Sequence, residues 1–394
     1  MNERILISGA SIAGLTLAHW LARYGFRPTV VERAPAPRSG GNGVDVRGNA
    51  TEVAERMGIL SRIHEFATDV HGMKFVDAAD RAVARIDTRD PASIEIMRGD
   101  LVTLLHEVTD VEILFGDSIL GLEQDDDGVS VTFEHAPARR FDLVVGADGM
   151  HSNVRRLVFG PEERFVQFKH HYFAFADTDA SLGENRWVTM FNTPGRMTGI
   201  YRSGNHPQAK AYFMFRSAPL RYDHRDVAEH KRLISEAFGR ESSWRTRELL
   251  DAALADPDFY FDALGQVRMA SWSDGRVALV GDAAWCASPV SGAGAELALV
   301  GAHLLAGELA ASGGDHRVAF ARYDTAHRPL VDAKQRIGPN VRLMVPRTEG
   351  GRCVRDVVAR LPLMKAIGAV ERRAQARNAR PLPEYALGRR GNGA

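Results

Sequence analysis

The sequence predicts an α/β fold interrupted by a β-rich region and closed by C-terminal helices. Three observations predict it. A strand, glycine turn, helix and second strand follow one another over Arg4–Glu32. An aromatic-rich stretch of alternating apolar and polar residues fills 165–215. From Arg276 a short buried-type strand runs into Gly281-Asp282, then into a glycine turn and a long apolar helix.

In the first unit, Arg4–Ser8 is an apolar run of strand length, Ile12–Tyr24 has helical spacing ending at Gly25, and Pro28–Glu32 is a strand. The run Ile5–Ala22 resembles a signal peptide only superficially, because Ser8, Gly9, Ser11, Gly14 and Thr16 interrupt it. Ala34–Gly41 is a loop by composition, while Thr51–Met57 and Leu101–Val108 read as helices. Val111–Phe133 reads as strands around an Asp125–Gly128 turn, and Leu143–Gly146 as a buried strand. In 165–215 the alternation predicts a sheet with one packed face and one face open to a ligand. Helices follow at Val227–Phe238, Thr246–Ala255, Val318–Leu343 and Val354–Arg377, and residues 381–394 read as a loose tail.

Composition narrows the function classes. A chain of 394 residues can bury large cores in two or three domains. Fifty Lys+Arg against fifty Asp+Glu leave no global field for nucleic acid or an anionic membrane. Cys286 and Cys353 form no metal-ligand spacing or disulfide framework, in keeping with a reducing, cytoplasmic setting and no metal site. The apolar stretch Val277–Ala311 is broken by Asp282, Glu296, His303, Glu308 and Pro289, which argues against a membrane span.

The first site is Gly9-Ala-Ser-Ile-Ala-Gly14, set between strand and helix where such glycines have meaning. Gly9 permits a tight turn and Gly14 close packing of helix on strand. Ser11 stands where a middle glycine would approach a pyrophosphate, and the amides of Ser11, Ile12 and Ala13 open the helix toward an anion. Glu32, with Arg33 after it, closes the second strand 18 positions beyond Gly14, placed to accept from adenosine ribose hydroxyls. A carboxylate there disfavours a 2′-phosphate, so the pocket reads as one for FAD or NAD.

The second site separates these two. Gly281-Asp282 ends a strand with a carboxylate suited to sugar-like hydroxyls, and Pro289 precedes Gly292-Ala293-Gly294-Ala295 at a helix start. Those helix amides suit the negative charge that reduced flavin carries near N1 and O2. Between the two sites, Leu143–Gly146 runs into Asp148-Gly149, with Ser152 as N-cap. Asp148 has two readings: orienting its loop, or shaping the nucleotide surfaces.

These elements, in this order, resemble class A FAD-dependent monooxygenases, the para-hydroxybenzoate hydroxylase-like group that includes tetracycline-inactivating and polyketide-tailoring hydroxylases. The resemblance spans about residues 3 to 345. It implies a Rossmann-like FAD-binding domain (1–70, 98–164 and 273–345), a β-sheet substrate domain (71–97 and 165–272) and a C-terminal helical segment with tail (346–394). It also marks Arg98, in Met97-Arg98-Gly-Asp, for the FAD ribose or pyrophosphate. NAD(P)H would reduce FAD as a transient reductant, O₂ would add at flavin C4a, and the hydroperoxide would oxygenate an aromatic, polyketide-like or otherwise conjugated small molecule. Trp285, Ala293 and Glu296 depart from the residues often found at their positions; a second reading therefore keeps flavin structural in a redox-neutral cyclase or binder.

For substrate, Asp45 and Arg47 would run near the flavin edge, to orient it or to form a structural ion pair. Phe191, Met197, Tyr201, Phe213 and Phe215 would line an aromatic cavity or belong to a core. Of the adjacent His170 and His171, alternation lets at most one face the site. Met344-Val-Pro346 is placed near the substrate side of the flavin. The Arg372–Arg377 stretch reads as a solvated helix end.

Overall fold

A computed structural model describes residues 3–37, 40–336, 344–360 and 381–386. The 361–377 part of the last helix expected from the sequence, with its basic Arg372–Arg377 stretch, and the 337–343 end of the preceding one lie outside the described residues.

The first sheet has six strands in the order 273–274, 277–279, 143–146, 4–8, 27–32 and 112–115. All neighbours are parallel except the antiparallel outer pair at 273–279. Leu143–Gly146 is buried at every position, as a strand covered on both faces must be. Helices Ile12–Arg23 and Gly294–Ala311 pack against one another, and the latter is buried nearly all round. Gly294–Ala311 is long and apolar enough to cross a membrane, yet 78% of it is buried inside the protein. It is a core helix.

The second sheet has seven strands in the order 260–267, 166–178, 209–216, 196–202, 187–193, 72–76 and 82–87. One face is sealed by helices Val227–Phe238 and Thr246–Ala255 over Tyr172, Ala174, Ala211, Phe213, Phe215 and Phe261. The opposite face carries Phe75, Phe173, Met190, Met197 and Met214, and packs against Val290, Met344 and Val345.

Three details differ from the sequence expectation. Ser93–Met97 pairs with Gly43–Arg47 in a two-stranded ribbon, not with the second sheet. His170 has φ 58° beside a register shift between Phe168 and Tyr172, so simple alternation fails there. Residues 381–386 are docked, not loose. Leu382 is buried, Tyr385 Oη donates to Glu308 Oε1 at 2.9 Å, and Arg56 Nη1 donates to the Pro383 carbonyl at 3.0 Å. A Cβ added at Gly307 would lie 2.1 Å from the Tyr385 ring, so this glycine makes room for the strap.

Candidate cofactor and active site

The glycine turn is dictated by close approach. Gly9 has φ 106°, and a Cβ on it would lie 2.5 Å from the Ala147 carbonyl oxygen; one on Gly14 would lie 1.9 Å from the Gly9 carbonyl oxygen. Helix Ile12–Arg23 starts without a side-chain cap, so the first-turn amides of Ile12, Ala13 and Gly14 remain available to a ligand. Ser11 Oγ instead accepts from Arg98 Nη2 at 2.7 Å, which brings a guanidinium to the helix start. Glu32 accepts from Ala10 N and Ala34 N, each at 2.8 Å. Those bonds fix the carboxylate plane and leave lone pairs on both oxygens. Arg33 beside it is exposed.

Asp148 accepts from Asn153 N at 2.9 Å, Val154 N at 3.1 Å and the Ser152 hydroxyl, with Ser8 Oγ at 3.4 Å. Of its two readings, the hydrogen bonds account for loop orientation. Ser152 caps the Asn153–Val158 helix through Arg155 N, as its type suggested. Arg155, fully buried, donates Nη1 to the Ala283 carbonyl at 2.9 Å and so ties this helix to the Gly281 element.

A Cβ on Gly281 would lie 2.7 Å from Ala13 Cβ; the two distant motifs therefore meet at one place. Asp282 beyond it is exposed yet surrounded by protein, and burial raises its carboxyl above the usual range, with Arg98 opposing. A side chain at once open and desolvated lines a deep cleft. Pro289 is exposed, Ala293 and Ala295 are buried, and helix Gly294–Ala311 again starts without a side-chain cap. At Gly292, φ 59°, an added Cβ would lie 3.1 Å from Asp45 Oδ2. Arg47 donates to the Ser291 carbonyl and, at 3.2 Å, to Glu296, which Lys334 also pairs at 2.8 Å. The departure at Glu296 thus has a local reason: two cations hold it. Trp285 points away into the core, against Trp272, Tyr323 and His327.

The aromatic candidates divide by strand parity. Phe213 and Phe215 face the covering helices and touch Phe238, and Phe191 contacts Trp244 at 5.7 Å. These three are corrected from cavity lining to core under the helices. Tyr201 lies on the other face, with Tyr212, Phe175 and Tyr260 in adjoining strands. Ring centroids along this strip are 4.7 Å apart for Tyr260 and Phe175, 6.1 Å for Phe175 and Tyr212, and 6.2 Å for Tyr212 and Tyr201. Met197 shares this face. Tyr260 feels Arg98 and Asp282 electrostatically, so its end of the strip borders the cofactor cleft.

Three of these rings were missed in the sequence, and so was a polar clamp beneath Tyr260. His151 uses Nδ1 toward Glu162 and Nε2 toward Asp262, both at 3.0 Å. Asp262 also accepts from Tyr260 Oη at 3.0 Å and Tyr222 Oη at 3.2 Å. Burial pulls the His151 imidazole down, but hydrogen bonds to Asp262 and Glu162 outweigh it and raise the pKa to about 9. His171 is buried, and burial lowers its pKa; its Nδ1 lies 2.6 Å from the Lys169 carbonyl, a structural contact.

Two uncapped helix starts, an arginine at one of them, a fixed ribose-type acceptor and a cleft-floor carboxylate suit a molecule with phosphates at one end and an electron-accepting ring at the other. That donor set defines the class: an FAD-binding α/β oxidoreductase. Residues 3–333 match the family model described as the FAD binding domain. The chain belongs to this family of flavin-dependent monooxygenases. It is 39% identical over 343 residues to a flavin-dependent monooxygenase of Legionella longbeachae, covering 86% of this chain and 88% of that one. It is 44% identical over 346 residues to an uncharacterised protein of Mycobacterium tuberculosis, covering 84% and 92%. Among solved structures, tetracycline destructase Tet(51) superposes with a TM-score of 0.84 at 34% identity, covering 98% of this chain and all of that one.

Proposed function

We propose that the protein is a cytoplasmic monooxygenase that uses NAD(P)H and O₂ to insert one oxygen atom into an aromatic or polyketide-like small molecule. The observation that carries this reading is the aromatic strip Tyr260–Phe175–Tyr212–Tyr201, which faces the cleft floored by Asp282. Reduced FAD supplies the activation of O₂ when bound. The chain's residues do the rest. The amides opening helix Ile12–Arg23, with Arg98, would hold the pyrophosphate. Glu32 would accept from the adenosine ribose and Asp282 from the ribityl chain. Gly292 N and Ala293 N donate to the Pro289 carbonyl and Ser291 Oγ, so the amides of Gly294 and Ala295 would face the ring pole where negative charge gathers on reduction. The strip offers offset stacking to a flat substrate and, with Met190, Met197 and Met214, keeps water from the reacting atoms.

The test is a purified, yellow protein supplied with NADH or NADPH and a panel of phenolic, polycyclic and polyene compounds. Tetracycline belongs in that panel, since the Tet(51) protein is named for acting on it. Substrate-dependent consumption of reductant and O₂, with a product heavier by one oxygen atom, supports the reading. A product of unchanged mass favours redox-neutral chemistry instead.

A further inference from the structure

The aromatic strip ends on a carboxylate that no motif announced. Glu95 lies on the ribbon strand Ser93–Met97, directly opposite Asp45 in the antiparallel register. Its Oε2 accepts from Thr68 Oγ1 at 2.6 Å and from Tyr201 Oη at 3.1 Å, so the carboxylate plane is fixed from two sides. Oε1 takes no hydrogen bond from the described residues, and the side chain keeps partial access to solvent. Gly43 lacks the atom that would block Oε1: a Cβ there would lie 2.4 Å from it.

Charge is unbalanced around this point. Asp45, Glu95 and Glu296 carry three negative charges, while Arg47 and Lys334 pair with Glu296 or Asp45. Among the described residues no cation forms an ion pair with Glu95. Burial, then the neighbouring Asp45, raises its carboxyl, the expected response of an acceptor without a counter-charge. Tyr201 and Tyr212 are the other titratable groups against it, and both phenols are pushed up.

We propose that Glu95 is a specificity-determining residue that receives a cationic amine on the substrate, so that the strip selects a flat conjugated ring system bearing a basic nitrogen. This deepens the monooxygenase reading and rests on it. Rings stack along Tyr260, Phe175 and Tyr212 while the ammonium meets Oε1 beyond Tyr201. A charged hydrogen bond made away from bulk water is worth more there than at an open surface.

The holoenzyme is titrated with 1-(dimethylaminomethyl)naphthalene and with its uncharged isostere 1-isobutylnaphthalene, following the flavin absorbance. The amine is expected to bind roughly tenfold more tightly than the isostere. In Glu95→Gln, which keeps the shape and an acceptor for Thr68 and Tyr201, the two affinities should converge. Flavin content and far-ultraviolet circular dichroism of the variant identify a folding failure, and Glu95→Asp then replaces it, with partial convergence expected. An isostere that binds as well as the amine, or a preference that survives Glu95→Gln, overturns the proposal and leaves the aromatic cavity standing. Failure of both probes to perturb the flavin overturns the cavity reading and this proposal together.

Discussion

Replacing His151 by Asn isolates the clamp between the Asp148-Gly149 loop and the second sheet. Only an imidazolium donates from both nitrogens, and His151 needs both, for Glu162 and Asp262 at 3.0 Å. Its pKa rises from the ordinary 6.5 of a histidine to about 9. At ~1.36 kcal/mol per pKa unit this corresponds to about 3 kcal/mol. The His151 side chain is 21% exposed and Glu162 is 34% exposed, so screening trims the figure to roughly 2 kcal/mol. Because the folded-state pKa is raised, the contribution is complete below pH 6.5 and is lost as pH climbs through 9. His224, stacked on His151 at 4.4 Å, is pushed down by burial and so costs stability below pH 6.5 in both proteins. Urea unfolding followed by tryptophan fluorescence, from pH 6.5 to 10, should show wild type leading the variant by roughly 2 kcal/mol at the acid end. The lead should shrink toward a small residue by pH 10. A lead that stays constant across the series would refute the argument.

Other outcomes follow from the same geometry. Gly14→Ala places a methyl 1.9 Å from the Gly9 carbonyl oxygen; it should cost about 1–3 kcal/mol and yield protein largely free of FAD, read from the 450-nm absorbance per chain. Asp282→Asn should fold normally but weaken FAD about tenfold or more, measured by flavin fluorescence on dilution, as a charged acceptor is lost. Phe213→Ala should cost about 3–5 kcal/mol while leaving aromatic-probe binding to the surviving fold intact; Tyr212→Ala should do the reverse. Gly307→Ala should expel Tyr385 and lower the melting temperature, and a chain shortened to residue 380 should show no further drop from the same change.

Much of the cofactor site was legible because it is built from backbone constraints. Gly9, Gly14 and Gly281 stand where any Cβ would collide, and such demands leave a mark in sequence. Glu32 and Arg98 were legible by position in those motifs. The second sheet was legible from alternation, but alternation says only that two faces differ. In 209–216 one parity reads Ala209, Ala211, Phe213, Phe215 and the other Lys210, Tyr212, Met214. The purely apolar parity is the one under helices, and the mixed one faces the cleft; that contrast was the available signal. Glu95, Thr68, His151 and Asp262 had none. Their partners lie 27 and 111 residues apart in the chain, and only the folded register joins them. The strap at 381–386 was missed because prolines and short polar residues look the same docked or free.

The six-stranded sheet has a consequence for biosynthesis. Its central strand comes from residues 4–8, but the neighbour's outer partner is 277–279, more than two-thirds of the way along. A nascent chain therefore carries the far edge of the apolar Leu143–Gly146 strand unmatched from its own synthesis until residue 279, while the second sheet, finished at residue 267, can condense first. Flavin enters a frame that closes late, so expression slowed before residue 280, or carried out with chaperones scarce, should produce aggregates seeded by the open edge of strand 143–146.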